Sequence, residues 1–399
     1  MTVYYVDKSG DDSNAGTDPR NPKLTIANAC SVADNGAGNT VEIRDSGQYD
    51  EGDIYIYANP ITIKATGSNK PILDGDPNNN DYVFRPYISG CIVQGLIMRN
   101  YDNGLVAGAA AIGYNYIISG CMGQVETGPM LIGNTGGQTE IRDSLILVDN
   151  GACFQPYSTG PTAKVLFVNS VFSSNMNSGA SYGNTINFSQ VSTNTTMSFC
   201  TVIGLGAGGG RNYNAINQIA KVINCIITGS GDGINAHSST YNLVNVSGDP
   251  FVVWSADSYD GTPRSANTGE ITGAPVFNDG GALGSIDFDT QNYNLRAESP
   301  AIDAGTPYLD ITHDISGNLR TDPDIGPYEF EAEDPPWATY TSQPKSKWGS
   351  DLSINTLANY SSNYKYDYDN NIGQAPFSTA NKNPSSIRNR RIPYKTFKS

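Results

Sequence analysis

The sequence predicts an all-β chain wound as a parallel β-solenoid. The first reason is a repeat. Gln94-Gly95-Leu96-Ile97, Ser119-Gly120-Cys121-Met122, Asp143-Ser144-Leu145-Ile146, Asn169-Ser170-Val171-Phe172, Cys200-Thr201-Val202-Ile203 and Asn224-Cys225-Ile226-Ile227 each place a small polar step before an apolar strand. Their first positions, 94, 119, 143, 169, 200 and 224, lie 25, 24, 26, 31 and 24 residues apart. A β-rich unit of that length buries its apolar side only by stacking on copies of itself. The second reason is composition. Glycine numbers 43 and charged residues make up only 16% of the chain, which suits a fold built largely of turns. The third is what is missing. Recurrent leucines at fixed offsets, which a leucine-rich repeat needs, do not occur, and neither do the long 3.6-residue periods of helical repeats.

Taken in order, residues 1–40 read as an entry strand and cap. Tyr4-Tyr5-Val6 begins a strand, and Leu24 to Ala33 is expected to form a short helix with Leu24, Ala27, Cys30 and Val32 on its apolar side. Such a helix covers an unpaired strand edge. Residues 41–273 are assigned to the coils, from Val41-Glu42-Ile43 and Ile61-Thr62-Ile63 onward, with a loop at 247–273 carrying Trp254 and Tyr259 and projecting from one face. Each coil is expected to supply three short strands. Leu145, Val171 and Ile226 are expected to point into the coil, where each buried side chain contributes roughly 1.5–3 kcal/mol. Residues 274–334 form a second module, and residues 335–399 an extended arm.

Charge divides the chain. From Pro335 to Ser399 there are nine Lys or Arg and three Asp or Glu, a net +6. The whole chain carries −15, so residues 1–334 carry −15 − 6 = −21. An acidic body disfavours nucleic acid and anionic lipid. The basic arm suits an acidic partner surface. Within it Trp337, Trp348, Arg388, Arg390, Arg391, Tyr394, Lys395 and Phe397 are the expected partner-binding residues. Cations there attract, and the interleaved apolar side chains hold.

The six cysteines form no CxxC or CxxxC pair, and His237 and His313 are the only histidines. Buried free thiols are expected, with a dispersed disulfide set as the alternative, and not a zinc site. No export signal or membrane-spanning run is read in the sequence. The chain is therefore expected to be made in a host cytoplasm, without membrane or nucleic-acid partners.

Three segments carry a family resemblance. YYVDKSGDDSNAGTDPRNPKLTIANA at 4–29 resembles the opening of right-handed parallel β-helix proteins of the polysaccharide-lyase-like, or pectate-lyase-like, superfamily. APVFNDGG at 274–281, NYNLRAESPAIDAGTP at 292–307 and DISGNLRTDPDIGPYEF at 314–330 resemble their C-terminal module. The resemblance covers residues 1–330. It implies a right-handed parallel β-helix with an N-terminal capping helix, and it spans lyases, glycosidases, adhesins and virus structural proteins. It does not choose among them.

A lyase of this kind implies a Lys or Arg base beside an acidic calcium site. The candidates on the coils are Lys164, Lys221 and Arg211, with Asp143, Asp149 and Asp232. Asp143 lies one coil before Lys164. No coil shows grouped carboxylates of the kind that cage calcium, and no carboxylate pair suggests a hydrolase. Lys164 and Lys221 read as solvent-facing residues that open strands, and Asp232 as a turn residue. The densest acidic group, Asp303, Asp310, Asp314, Asp322 and Asp324 with His313 and Arg320, reads as turn and cap chemistry, with a structural cation as the other reading. The 24 tyrosines allow an aromatic row for sugars.

No catalytic residue, metal ligand or cofactor is assigned from these patterns. The reading adopted is a non-enzymatic virion structural protein, a capsid decoration or cement protein of a tailed bacteriophage. It is held to other virion proteins by residues 335–399 and expected to self-associate as a homo-oligomer. The alternatives are a tailspike-like polysaccharide lyase or depolymerase acting on a cell-surface glycan, and a bacterial surface carbohydrate-binding protein.

Overall fold

A computed structural model describes residues 1–66, 70–76, 82–101, 106–107, 116–125, 131–133, 138–148, 151–156, 164–176, 185–187, 194–206, 214–229, 232–250, 265–277 and 293–330. It is a parallel β-helix, a winding whose parallel crossovers are right-handed by the rule of strand twist. Each coil passes through three faces. The first face runs from Val3–Val6 through Asn39–Ile43, Ile61–Ala65, Cys91–Gln94, Tyr116–Ser119, Gln138–Arg142, Lys164–Val168 and Asn194–Ser198. The second runs from Ile54–Ile56 through Phe84–Pro86, Val106–Ala107, Leu131–Gly133 and Phe154–Pro156 to Ile186–Asn187. The long strand Asn214–Ile223 turns the corner between these two faces and joins them into one sheet, with Asp232–Thr240 paired to it. The third face is a separate ten-stranded sheet from Gln48–Tyr49 to Ile271–Thr272. Every pairing between named strands is parallel. The first face, for example, stacks Val41, Ile63, Val93, Ile118, Ile141, Phe167, Met197 and Val222 in one inward ladder of buried residues.

The three faces meet through aromatic side chains. Phe154, Phe167 and Phe172 come from the second, first and third faces, and their rings pack edge to face at 5.2 and 5.3 Å. Edge-to-face contacts add to the burial energy of three fully enclosed side chains.

The repeated polar step is the corner between the first and third faces. Gly95, Gly120, Asp143, Asn169, Phe199, Asn224 and Tyr241 all have φ between 45° and 72° there. Gly, Asn and Asp enter this left-handed region most readily, which is why the step reads as small and polar. The repeats quoted from Gln94 and Ser119 start one residue before the turn and the one at Cys200 starts one residue after it, because Gly95, Gly120 and Phe199 make those turns. A further step at Tyr241 escaped the sequence reading, because an aromatic residue hides it. Gly269 makes room for that ring: a Cβ there would stand 2.3 Å from it. The residue after each turn points inward. Ser144 and Ser170 hydroxyls donate to the carbonyls of Arg142 and Val168 at 2.7 Å. Cys200 and Cys225 thiols do the same to Ser198 and Ile223 at 3.3 and 3.2 Å. All six cysteines are free and buried.

The capping helix spans Ile26–Ala33 and buries Ile26, Ala29, Cys30 and Ala33. Leu24 precedes it and is exposed, so the expected apolar side is rotated. The orphan amides of the first turn are met from outside. Glu51 accepts from the N–H groups of Ile26 and Ala27 at 3.0 and 2.7 Å, and the Thr25 hydroxyl caps Asn28. The edge of Val3–Val6 is closed by residues 16–23: Tyr5 donates to the Gly16 carbonyl at 2.7 Å, and Lys23 to that of Tyr5 at 2.9 Å.

The third face overturns one expectation. Leu145, Val171 and Ile226 do not point into the coil. Their neighbours Ile146, Phe172 and Ile227 fill the interior. Leu145, Val171, Ile203, Ile226 and Leu243 form a second core with Phe277, Tyr293, Leu295, Ala301, Ile315, Ile325 and Tyr328 of the C-terminal module. That module covers the sheet, so both of its sides are buried and the apolar run Leu145-Ile146-Leu147-Val148 shows no alternation. The loop expected at 247–273 ends in the strand Ile271–Thr272, which extends the third face beside Leu243–Val246. Its centre, with Trp254 and Tyr259, lies outside the described residues.

Candidate functional site

Two places concentrate chemistry: the corner under the C-terminal module and an aromatic flank on the second face. At the corner, the polar turn residues hold the module. Asn224 donates to the Thr306 carbonyl at 2.6 Å and accepts from the Thr306 N–H at 3.0 Å. Asn169 donates to the carbonyl of His313 at 2.9 Å and to the Asp143 carboxylate at 3.2 Å. Arg320 reaches down from the module with its side chain fully enclosed. It donates to Asn169 Oδ1 at 3.1 Å and to the Gly326 carbonyl at 3.0 Å, ion-pairs with Glu329, and lies 4.0 Å from the centre of the Phe199 ring. That cation–π contact helps hold Phe199 in a backbone conformation bulky residues avoid.

The acidic group of the module does turn chemistry. Asp314 accepts from the N–H groups of Ser316, Asn318 and Glu329 at 2.9, 2.7 and 3.0 Å. Asp324 accepts from Asp303 and Phe330 amides at 2.7 and 2.5 Å. Among the described residues no set of His, Cys, Asp and Glu is grouped to hold a metal ion.

Burial sets the protonation of this corner. It pushes the Asp143 carboxyl up to about 6 and Glu329 up to about 7, against the partial opposition of Arg142 and Arg320 respectively. Lys70, which sequence reasoning did not single out, donates to the Gly120 carbonyl at 2.6 Å one coil before Asp143, and burial pulls its pKa down. The folded state thus binds the Asp143 proton more tightly than the unfolded chain, where an Asp titrates near 3.9. The stabilisation this gives is complete below about pH 4 and is lost as pH rises through about 6, an effect on the order of 2–3 kcal/mol. Asp143→Asn removes the charge but keeps an acceptor for Asn169. Its melting temperature is expected to exceed wild type at pH 8, with a much smaller difference at pH 4.5. An equal difference at both pH values would contradict this account of Asp143.

The candidate base and acid residues are not brought together. Lys164 opens its strand and is exposed, in register with Gln138 and Asn194. The turn beside Asp143 lies five residues along that strand, about 16 Å away at ~3.3 Å per residue. Lys221 does not open a strand; it lies within Asn214–Ile223, and its ammonium sits 4.3 Å from the Tyr308 ring. Asp232 is not the expected turn residue: it is buried, opens the strand Asp232–Thr240 and accepts from the Asp249 N–H at 3.0 Å, a long-range bond to the next stretch of chain. Arg211 and Asp149 lie outside the described residues. So do Trp337, Trp348, Arg388, Arg390, Arg391, Tyr394, Lys395 and Phe397.

The aromatic flank was not located by sequence reasoning. In strand Ile54–Ile56, Ile54 and Ile56 point inward and Tyr55 outward. Tyr57 follows just past its end. Arg85 pairs with Tyr55 in register, and the Tyr87 N–H donates to the Ile56 carbonyl, placing Tyr87 beside Tyr57. The three rings lie nearly parallel, with centroids 5.5, 5.1 and 6.2 Å apart. Tyr57 is 59% exposed and Tyr55 37%. Arg85 ion-pairs with Asp53 and lies 4.4 Å from the Tyr82 ring. The backbone beneath is fixed by Asp34, at the end of the capping helix, which accepts from the N–H groups of Tyr57, Ala58 and Asn59 at 2.9, 2.9 and 2.8 Å. The available signal was an outward tyrosine recurring one coil later, Tyr57 and then Tyr87.

No family model matches the chain, and no curated protein does. Among solved structures it is similar to pectate lyase Pel9A, at 14% identity and a TM-score of 0.43, over 83% of this chain and 97% of that one. It is similar to a rhamnogalacturonan lyase at 14% identity and TM-score 0.33, over 81% and 97%. A pectin methylesterase from Aspergillus niger gives 14% identity and TM-score 0.36, over 67% and 91%.

Proposed function

We propose that this protein binds a neutral surface polysaccharide on the flank formed by Tyr55, Tyr57 and Tyr87. The observation that carries the reading is the stacked aromatic cluster, with Tyr55 and Tyr57 exposed and Tyr87 half-buried beside them. Contiguous exposed rings mark a contact surface. Tyrosine offers a flat apolar face for the C–H side of a pyranose and a hydroxyl for its polar edge, with little side-chain entropy to lose. Charge selects the ligand class. A body of net −21 disfavours a polyanion, and Arg85, the cation at the site, is already paired with Asp53. Binding without cleavage is the reading, since Lys164 and Asp143 stand at opposite ends of their face.

The charge division of the sequence favours a second, compatible reading. The acidic body is the exposed part of a virion, and the basic residues 335–399 attach it to other virion proteins as a decoration protein of a tailed bacteriophage.

Native gels containing hydroxyethylcellulose, galactomannan or polygalacturonate test the first reading. Retardation is expected in a neutral-glycan gel and not with polygalacturonate. Tyr57→Ala and Tyr87→Ala should each weaken it about tenfold, roughly 1.4 kcal/mol, with melting unchanged. A chain ending at Asp334 should still bind the glycan and lose incorporation into the assembly. Unaltered mobility in both neutral gels, or retardation that survives loss of both tyrosines, would overturn it. Unsaturated products or new reducing ends would instead make it a depolymerase.

A further inference from the structure

Cys200 and Cys225 occupy the same position of consecutive coils. Ser198 pairs with Ile223 and Thr201 with Ile226, so the residues between them stack directly. Neighbouring strands lie about 4.8 Å apart, inside the roughly 4.4–6.8 Å Cα separation that a disulfide bridges. Both side chains point inward and are fully buried. In the strand register Cys91 stacks on Tyr116, the Cys121 N–H meets Ser144, and the Cys153 N–H meets Thr185. The turn itself does not need sulfur, because Ser144 and Ser170 fill the same place in earlier coils and make the same bond to the strand carbonyl.

We propose that Cys200 and Cys225 form a coil-to-coil disulfide when the chain folds in the presence of an oxidising disulfide of the glutathione class. One thiolate attacks the small disulfide and releases one small thiol. The second thiolate then attacks the mixed disulfide and releases the other. Two protons and two electrons leave the protein, one S–S bond forms, and two small thiols are produced. The exchange belongs to folding, before the coils close. Once they have closed, burial raises the pKa of the Cys200 thiol and leaves little thiolate there to react. The bridge closes a loop from one coil to the next and restrains the unfolded chain.

The full chain is unfolded, then refolded with either reduced or oxidised glutathione, and free thiols are alkylated in denaturant and counted by mass. Six labels are expected from the reduced sample and four from the oxidised one, with one cross-linked peptide pair containing Cys200 and Cys225. The oxidised protein should also melt at a higher temperature. Cys200→Ser, a residue the ladder already accommodates, should take five labels after oxidative refolding and melt like the reduced protein. Six labels in both wild-type samples, or a cross-link joining any other two cysteines, would overturn the proposal.

Discussion

Replacing Arg320 with alanine is expected to destabilise the protein by about 3–5 kcal/mol, the range for breaking a buried ion pair from one side. The guanidinium is the cation enclosed among Asp314, Asp324 and Glu329, and it ties the module to Asn169 and Phe199 of the coil corner. Its loss strands those carboxylates in a poorly solvated place. It also removes the contact that offsets the left-handed backbone at Phe199. Urea unfolding should show the drop, and Arg320→Lys should recover only part of it, since an ammonium cannot reach three acceptors in one plane. A midpoint within experimental error of wild type would show that the corner does not hold the module.

Val171→Asp is expected to cost several kcal/mol and to prevent soluble folding at 37 °C. Val171 is fully buried between the third face and the C-terminal module, so a carboxylate there would lose its hydration. Pointing away from the coil interior does not spare it, because the module encloses that side too. Val202→Asp, on the interior side of the next coil, should fail equally. A Val171→Asp protein that is soluble and melts like wild type, beside a failing Val202→Asp, would mean that the module does not cover this sheet.

The winding was legible because its signal is local. A left-handed corner favours Gly, Asn or Asp, and five of the six recognised steps hold one of these at the turn itself: Gly95, Gly120, Asp143, Asn169 and Asn224. The two aromatic corners, Phe199 and Tyr241, obey no local rule and are held by Arg320 and by the space at Gly269, so one was misplaced and the other missed. The direction of the third-face side chains was not legible either. Burial on both sides erases the alternation, and Leu145-Ile146-Leu147-Val148 reads the same in either register. The turn role of Asp314 was readable from its Asp-Ile-Ser-Gly-Asn setting, whereas the role of Lys221 depends on Tyr308, 87 residues away along the chain. The aromatic flank lay in between. Tyrosine abundance was plain, but the cluster appears only when coil length and inward register are both known.

A glycan is proposed to meet the chain on Tyr55, Tyr57 and Tyr87. Ring-labelled tyrosine, introduced throughout the chain and titrated with the neutral oligosaccharide cut from whichever polymer retards it, tests this residue by residue. The resonances that shift first should be those abolished by Tyr55→Phe, Tyr57→Ala and Tyr87→Ala, with Tyr49, Tyr101 and Tyr328 in the interior unmoved. Saturable shifts confined to tyrosines outside that cluster would contradict the assignment.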